Sequence, residues 1–121
     1  MPFKAILEQL VERVPGAIAA VLADWEGEAV SAYTSGEGTD YNIKFIGAHH
    51  GILLGHARKM LTELQLGQAR EINFVMDNFH VLTAAVNREY YVVLALAPET
   101  SLALARFELR QALTRLKQEI E

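Results

Sequence analysis

Four histidines, three arginines, of which Arg70 and Arg88 fall at predicted strand or hairpin ends, and one glycine-containing loop are the residues here whose chemistry invites a functional reading. His49 and His56 stand seven apart, about 10 Å along a helix, too far to share one ion, and His50 points elsewhere. A tetrahedral metal site needs three or four convergent ligands, so solvated or interface histidines are the preferred reading. His80, inside an apolar run, reads as a sheet residue rather than a general base. Arg58, Arg70 and Arg88 are the cations best placed to reach a phosphate, and an arginine finger can stabilise phosphoryl-transfer charge. A lone arginine is more often half of a surface ion pair. The loop at Gly36-Glu37-Gly38 lacks the Gly-Lys-Ser or Gly-Lys-Thr ending of a phosphate loop. Ser31, Ser35 and Ser101 have no nucleophile elbow around them, and Glu26, Glu28 and Glu37 read as solvating turns. The expectation is a non-enzymatic protein with no catalytic, metal or cofactor residues. Trp25, the single tryptophan, falls at a predicted hairpin tip. It is either folded back over apolar surface, the favoured reading, or offered to a partner, since tryptophan is enriched at binding hot spots.

The bulk properties narrow the class. A chain of 121 residues, 51% hydrophobic and 21% charged, is expected to form one domain over 1–121 with a proper core. Its net charge of −4 and dispersed basic residues argue against generalised nucleic-acid binding. No apolar run approaches the ~20 residues of a membrane span, and the amphipathic, acid-containing start is unlike a signal peptide, so a cytoplasmic protein without membrane partners is expected. With no cysteine there are no disulfides and no thiolate sites.

The elements that must position these residues follow from periodicity. Phe3, Ile6, Leu7, Leu10, Val11 and Val14 form one helical stripe, ended by Pro15-Gly16. Ala17 to Asp24 is a small-residue strand, joined through Asp24-Trp25-Glu26-Gly27 to Glu28–Thr34, whose better alternation suits a sheet edge. The many alanines imply that a helix packs closely across the first strand. After the loop of Ser35 to Asp40, a long helix is expected from Tyr41 to Gln65. Its apolar stripe includes Ala57, Met60, Leu61 and Leu64, and a second stripe carries Gly47, Gly51 and Gly55. Each interior glycine costs ~1 kcal/mol, so close packing should compensate, either on the protomer's own sheet or against another helix. Ile72–Met76, Phe79–Val86 and Tyr90–Ala97 form a three-stranded meander, too continuously apolar to leave one face wet. A last helix starts from an N-cap at Thr100 or Ser101, with Leu102, Ala105, Leu109, Ala112, Leu113, Leu116 and Ile120 on its apolar stripe. The fold class is α+β, a five-stranded antiparallel sheet flanked by helices on both faces, in the order α-β-β-α-β-β-β-α.

This order, with GAIAAVLADWEGEAV at Gly16 to Val30, resembles the roadblock family: dynein light chains and bacterial small-GTPase co-regulators of the MglB kind. The matching features are the first helix ended near Pro15-Gly16, the small-residue first strand, the Asp24-x-x-Gly27 hairpin, the long second helix and three closing strands. The resemblance spans essentially the whole chain. It implies a roadblock/profilin-like sheet with the first and third helices on one face and the second on the other. It also implies a homodimer made through the second helix and third strand, here Phe45, Ala48, Gly51, Ile52, Gly55, Ile72, Phe74 and Met76. An edge strand as apolar as the third agrees, because such edges need covering or pairing.

What the resemblance implies for function is a dimeric interaction module that binds and regulates a small Ras-like GTPase, with other roadblock-domain proteins as further partners. Trp25, Arg58, Arg70 and Arg88 are the candidate partner-binding residues. The alternative is a small-molecule sensor with a pocket between the second helix and the sheet, or a general scaffold subunit.

Overall fold

The computed structural model describes residues 2–26, 28–35, 55–67 and 70–120. The first helix, α1, runs over Pro2–Arg13 and buries Leu7, Leu10 and Val11, with Phe3 and Ile6 packed beside them. Its exit is set by Gly16. That residue has φ +95°, in the region glycine tolerates and other residues avoid, and the Thr100 side chain occupies the space a Cβ would need. The Gly16 carbonyl then accepts a hydrogen bond from Ala97 N at 2.8 Å, so the end of α1 is stitched to the end of the last strand.

Strand β1 is Ala17–Asp24 and β2 is Ala29–Thr34. The hairpin between them is organised by Asp24. Its Oδ1 accepts from both Glu26 N and Glu28 N at 3.0 Å, while its own amide donates to the Glu28 carbonyl. Asp24 thereby satisfies two of the turn's backbone donors, the role for which a short acceptor side chain is suited. Gly27 lies outside the described residues, as do residues 36–54. The described part of the second helix, α2, covers 55–63.

The meander is β3 (Glu71–Val75), β4 (His80–Ala85) and β5 (Tyr90–Leu96). All pairings are antiparallel, and the strand order is β2-β1-β5-β4-β3. β5 pairs with β1 along nearly its whole length, so the two most apolar strands are central, and β2 and β3 are the edges. At the β4–β5 hairpin, Asn87 Oδ1 accepts from Glu89 N at 2.8 Å and Tyr90 N at 2.9 Å, which fixes the turn that carries Arg88.

The final helix, α3, is Leu102–Ile120. Of the two predicted caps, Ser101 serves: its Oγ accepts from Leu104 N at 3.2 Å. Strand alternation sorts the core into two layers. Ala20, Leu22, Leu82, Leu94 and Leu96 point to one side, where Leu7 and Leu10 of α1 and Leu109 and Leu116 of α3 cover them. Ala19, Val21, Val81, Tyr91 and Val93 point to the other, and Trp25, Ile72, Phe74 and Phe79 pack around them. The predicted close approach to β1 is met, because Ala19, Ala20 and Ala23 are all fully buried.

The predicted apolar stripe of α2 is buried only in part: Ala57 and Leu61 are half-buried, whereas Met60 and Leu64 are 54% and 60% exposed. Arg106 of α3 donates from Nε to Glu71 Oε2 at 2.8 Å and ties that helix to edge strand β3.

Candidate functional site

Three of the four residues singled out as partner-binding come together at one end of the sheet. Trp25 follows β1, and Arg88 sits in the β4–β5 turn. Arg58 reaches over from α2, its guanidinium carbon 4.2 Å from the centre of the Trp25 ring. Trp25 also contacts Tyr91, with ring centroids 4.9 Å apart and planes tilted by 43°. The tryptophan is thus half-buried, a compromise between the two predicted fates: its ring is folded onto the sheet, yet it forms part of a wall.

That wall belongs to an open cleft of about 710 Å³ between α2 and the hairpins, lined by Trp25, Gly55, His56, Arg58, Lys59, Thr62 and Arg88. No carboxylate is among the described lining residues. The charge is concentrated by the helical repeat, which sets Gly55, Lys59 and Thr62 on one side at spacings of four and three. Thr62 Oγ1 donates back to the Arg58 carbonyl at 2.9 Å, so its hydroxyl proton is already committed. The Trp25 indole N–H is buried and has no acceptor among the described residues. Packing and the Arg58 cation therefore hold the ring without a hydrogen bond. Burial, and secondarily the Asp24 carboxylate, push the Tyr91 hydroxyl up to about 12, so it stays neutral at physiological pH and acts as a packing group.

Arg70 is not part of the cleft. Its carbonyl accepts from Ala85 N at 3.0 Å and its side chain is exposed at the start of β3, at the same end of the sheet as Arg88. His56, Lys59 and Thr62 were missed as cleft residues. Their helical spacing was visible, but which side of α2 faced the hairpins was not.

The second candidate surface is the β3 edge. Phe45, Ala48, Gly51 and Ile52 lie outside the described residues. Ile72 and Phe74 are half-buried on the α2 side of the sheet, and Met76 is exposed. Because Arg70 O accepts from Ala85 N and Met76 N donates to Phe79 O, the even-numbered residues of β3 face β4. Glu71, Asn73 and Val75 therefore present their backbone N–H and C=O groups to the free edge. At Gly55 an added Cβ would meet nothing within 4 Å among the described residues. Exposed Met60, Leu64 and Leu66 add apolar surface at the C-terminal end of α2.

Among the described residues no group of three or more His, Asp or Glu side chains is arranged to hold a metal, and no helix is long and apolar enough to cross a membrane. His80 is a half-buried residue of β4, paired with Val75 and Leu96 as the sequence reading expected of a sheet residue.

No protein-family model and no curated protein matches the chain. Solved structures do. A roadblock/LC7 domain from Streptomyces avermitilis superposes with a TM-score of 0.86 at 16% identity, covering 97% of this chain and 96% of that one. MglB from Myxococcus xanthus gives 0.86 at 14% identity, covering 98% and 94%. MglC from the same organism gives 0.70 at 24% identity, covering 98% and 99%. The fold is the roadblock fold, with three helices and a five-stranded antiparallel sheet.

Proposed function

We propose that this chain is a non-enzymatic, homodimeric interaction module that binds a small Ras-like GTPase and regulates its cycle. The observation that carries the reading is the full-length structural likeness to MglB, joined to the family resemblance of the sequence. Self-association has separate support from the outward-facing backbone of Glu71, Asn73 and Val75 at the β3 edge and from the exposed apolar end of α2. One similar structure is described as MglB with a tetrameric arrangement, so assembly of several copies is a property of at least one protein with this fold. Pairing with other roadblock-domain chains would use the same edge, and the cytoplasm is where such a partner GTPase would be met.

The test is capture from lysate of the source cell in two arms, one with GDP and one with a non-hydrolysable GTP analogue, read by mass spectrometry. Enrichment of one Ras-like GTPase in a single arm supports the proposal. No GTPase in either arm, beside a working positive control, removes it and leaves the scaffold or small-molecule sensor reading.

A further inference from the structure

We infer that the cleft between α2 and the two hairpins is a docking site for a carboxylate-rich segment of a partner protein. The protein as a whole is acidic, at −4, yet Arg58, Lys59, Arg88 and His56 converge here with no carboxylate among the described lining residues. Cations lining an open cleft favour an anionic occupant. Among the described residues the only salt bridge lies elsewhere, between Arg106 and Glu71, so none of the three cleft cations is paired with a carboxylate there.

Geometry selects the kind of anion. The row from Gly55 to Thr62 extends about 10 Å along the helix, and Arg88 faces it from the β4–β5 turn. An extended peptide advances about 3.3 Å per residue, so such a row matches roughly three successive residues. A lone phosphate would engage a single point of it. The cleft is also open to solvent, which suits a chain laid across it more than an enclosed small molecule. Trp25 does not offer a free platform for a nucleobase, because Arg58 stands over its ring and Tyr91 packs against it. The same stacking holds Arg58 in place, and a guanidinium whose N–H donors meet no acceptor among the described residues is suited to fork-like bonding to a carboxylate.

The inference is independent of the partner's identity, because its probe is a synthetic peptide, so failed capture of a GTPase would leave it standing. Trp25 is the single tryptophan, which makes intrinsic fluorescence a reporter located in the cleft. The full chain is titrated with hexaglutamate, with a hexaglutamine control and with inorganic phosphate, and calorimetry gives a second readout. Saturable binding of hexaglutamate alone is expected, weakening with added salt. Arg88→Gln and Lys59→Gln should each weaken it about tenfold, the loss of one charge-assisted hydrogen bond. Arg110→Gln, on the exposed side of α3, should leave it unchanged. No saturable binding, phosphate binding as well as the peptide, or equal weakening by Arg110→Gln and Arg88→Gln would overturn the assignment.

Discussion

Arg58 lies over the ring of Trp25, its guanidinium carbon 4.2 Å from the ring centre, and this contact joins α2 to the β1–β2 hairpin. A partly desolvated cation–π pair contributes about 0.5–2 kcal/mol. Arg58→Ala should therefore lower unfolding stability by about 1 kcal/mol and shift Trp25 emission to the red as the ring gains water. Chemical denaturation followed by tryptophan fluorescence reads both. Unchanged emission would mean the pair does not form in solution.

Tyr91 provides a pH signature. It is fully buried, and its hydroxyl is raised from 10.0 to about 12 by burial and by Asp24. A raised folded-state value means the native protein holds the proton more tightly than the unfolded chain. The associated stability is present below pH 10 and is lost as pH rises from about 10 to 12, by up to ~2 kcal/mol. Tyr91→Phe should remove that portion of the slope in denaturation curves recorded across this window. A slope identical to the wild type would assign the alkaline loss to other groups.

Dimerisation through β3 is testable at Val75, whose side chain is 68% exposed. The backbone N–H of Val75 points to the free edge, so proline there removes a donor from an intermolecular ladder without touching the β3–β4 pairing. At Phe74 the same substitution would break the ladder inside the protomer. Light scattering should give twice the 13.5 kDa chain mass for the wild type and the monomer mass for Val75→Pro, with unchanged far-UV circular dichroism. A Val75→Pro dimer would move the interface off this edge.

Ser101 caps α3 by accepting from Leu104 N. Ser101→Ala should destabilise the protein by about 1 kcal/mol, and Ser101→Asp should restore most of the loss through the same acceptor geometry and the helix dipole. Paired urea denaturation curves decide it: equal midpoints for Ser101→Ala and the wild type would show that the cap contributes nothing.

The strands and end helices were legible because their signals are local. β1 was delimited by Pro15-Gly16 before it and the Asp24 turn after it, and α3 by a cap and an unbroken seven-residue stripe. Assignment of edges was partly legible: the alternation of Ala29 to Thr34 suited an edge, and β2 is one. What the sequence could not show was relative orientation between distant elements. Arg106 meets Glu71 across 35 positions, and Arg58 of α2 meets Trp25 of the β1–β2 hairpin, pairings between distant elements that neither element's own pattern specifies. The same gap explains the missed cleft residues. Lys59 and His56 belong to ordinary helical positions until the β4–β5 turn brings Arg88 opposite them. Met60 and Leu64 read as one apolar stripe with half-buried Ala57 and Leu61, because hydropathy cannot tell a row facing its own sheet from a row left for a partner.

The central claim is nucleotide-sensed binding to a small GTPase, and one calorimetric titration tests it most directly. The GTPase recovered by capture, loaded with GDP or with the non-hydrolysable GTP analogue, would be titrated into this chain. The account predicts affinities for the two nucleotide states that differ by about tenfold or more, a coupling of roughly 1.4 kcal/mol. Equal affinity in both states, or none in either, would contradict it.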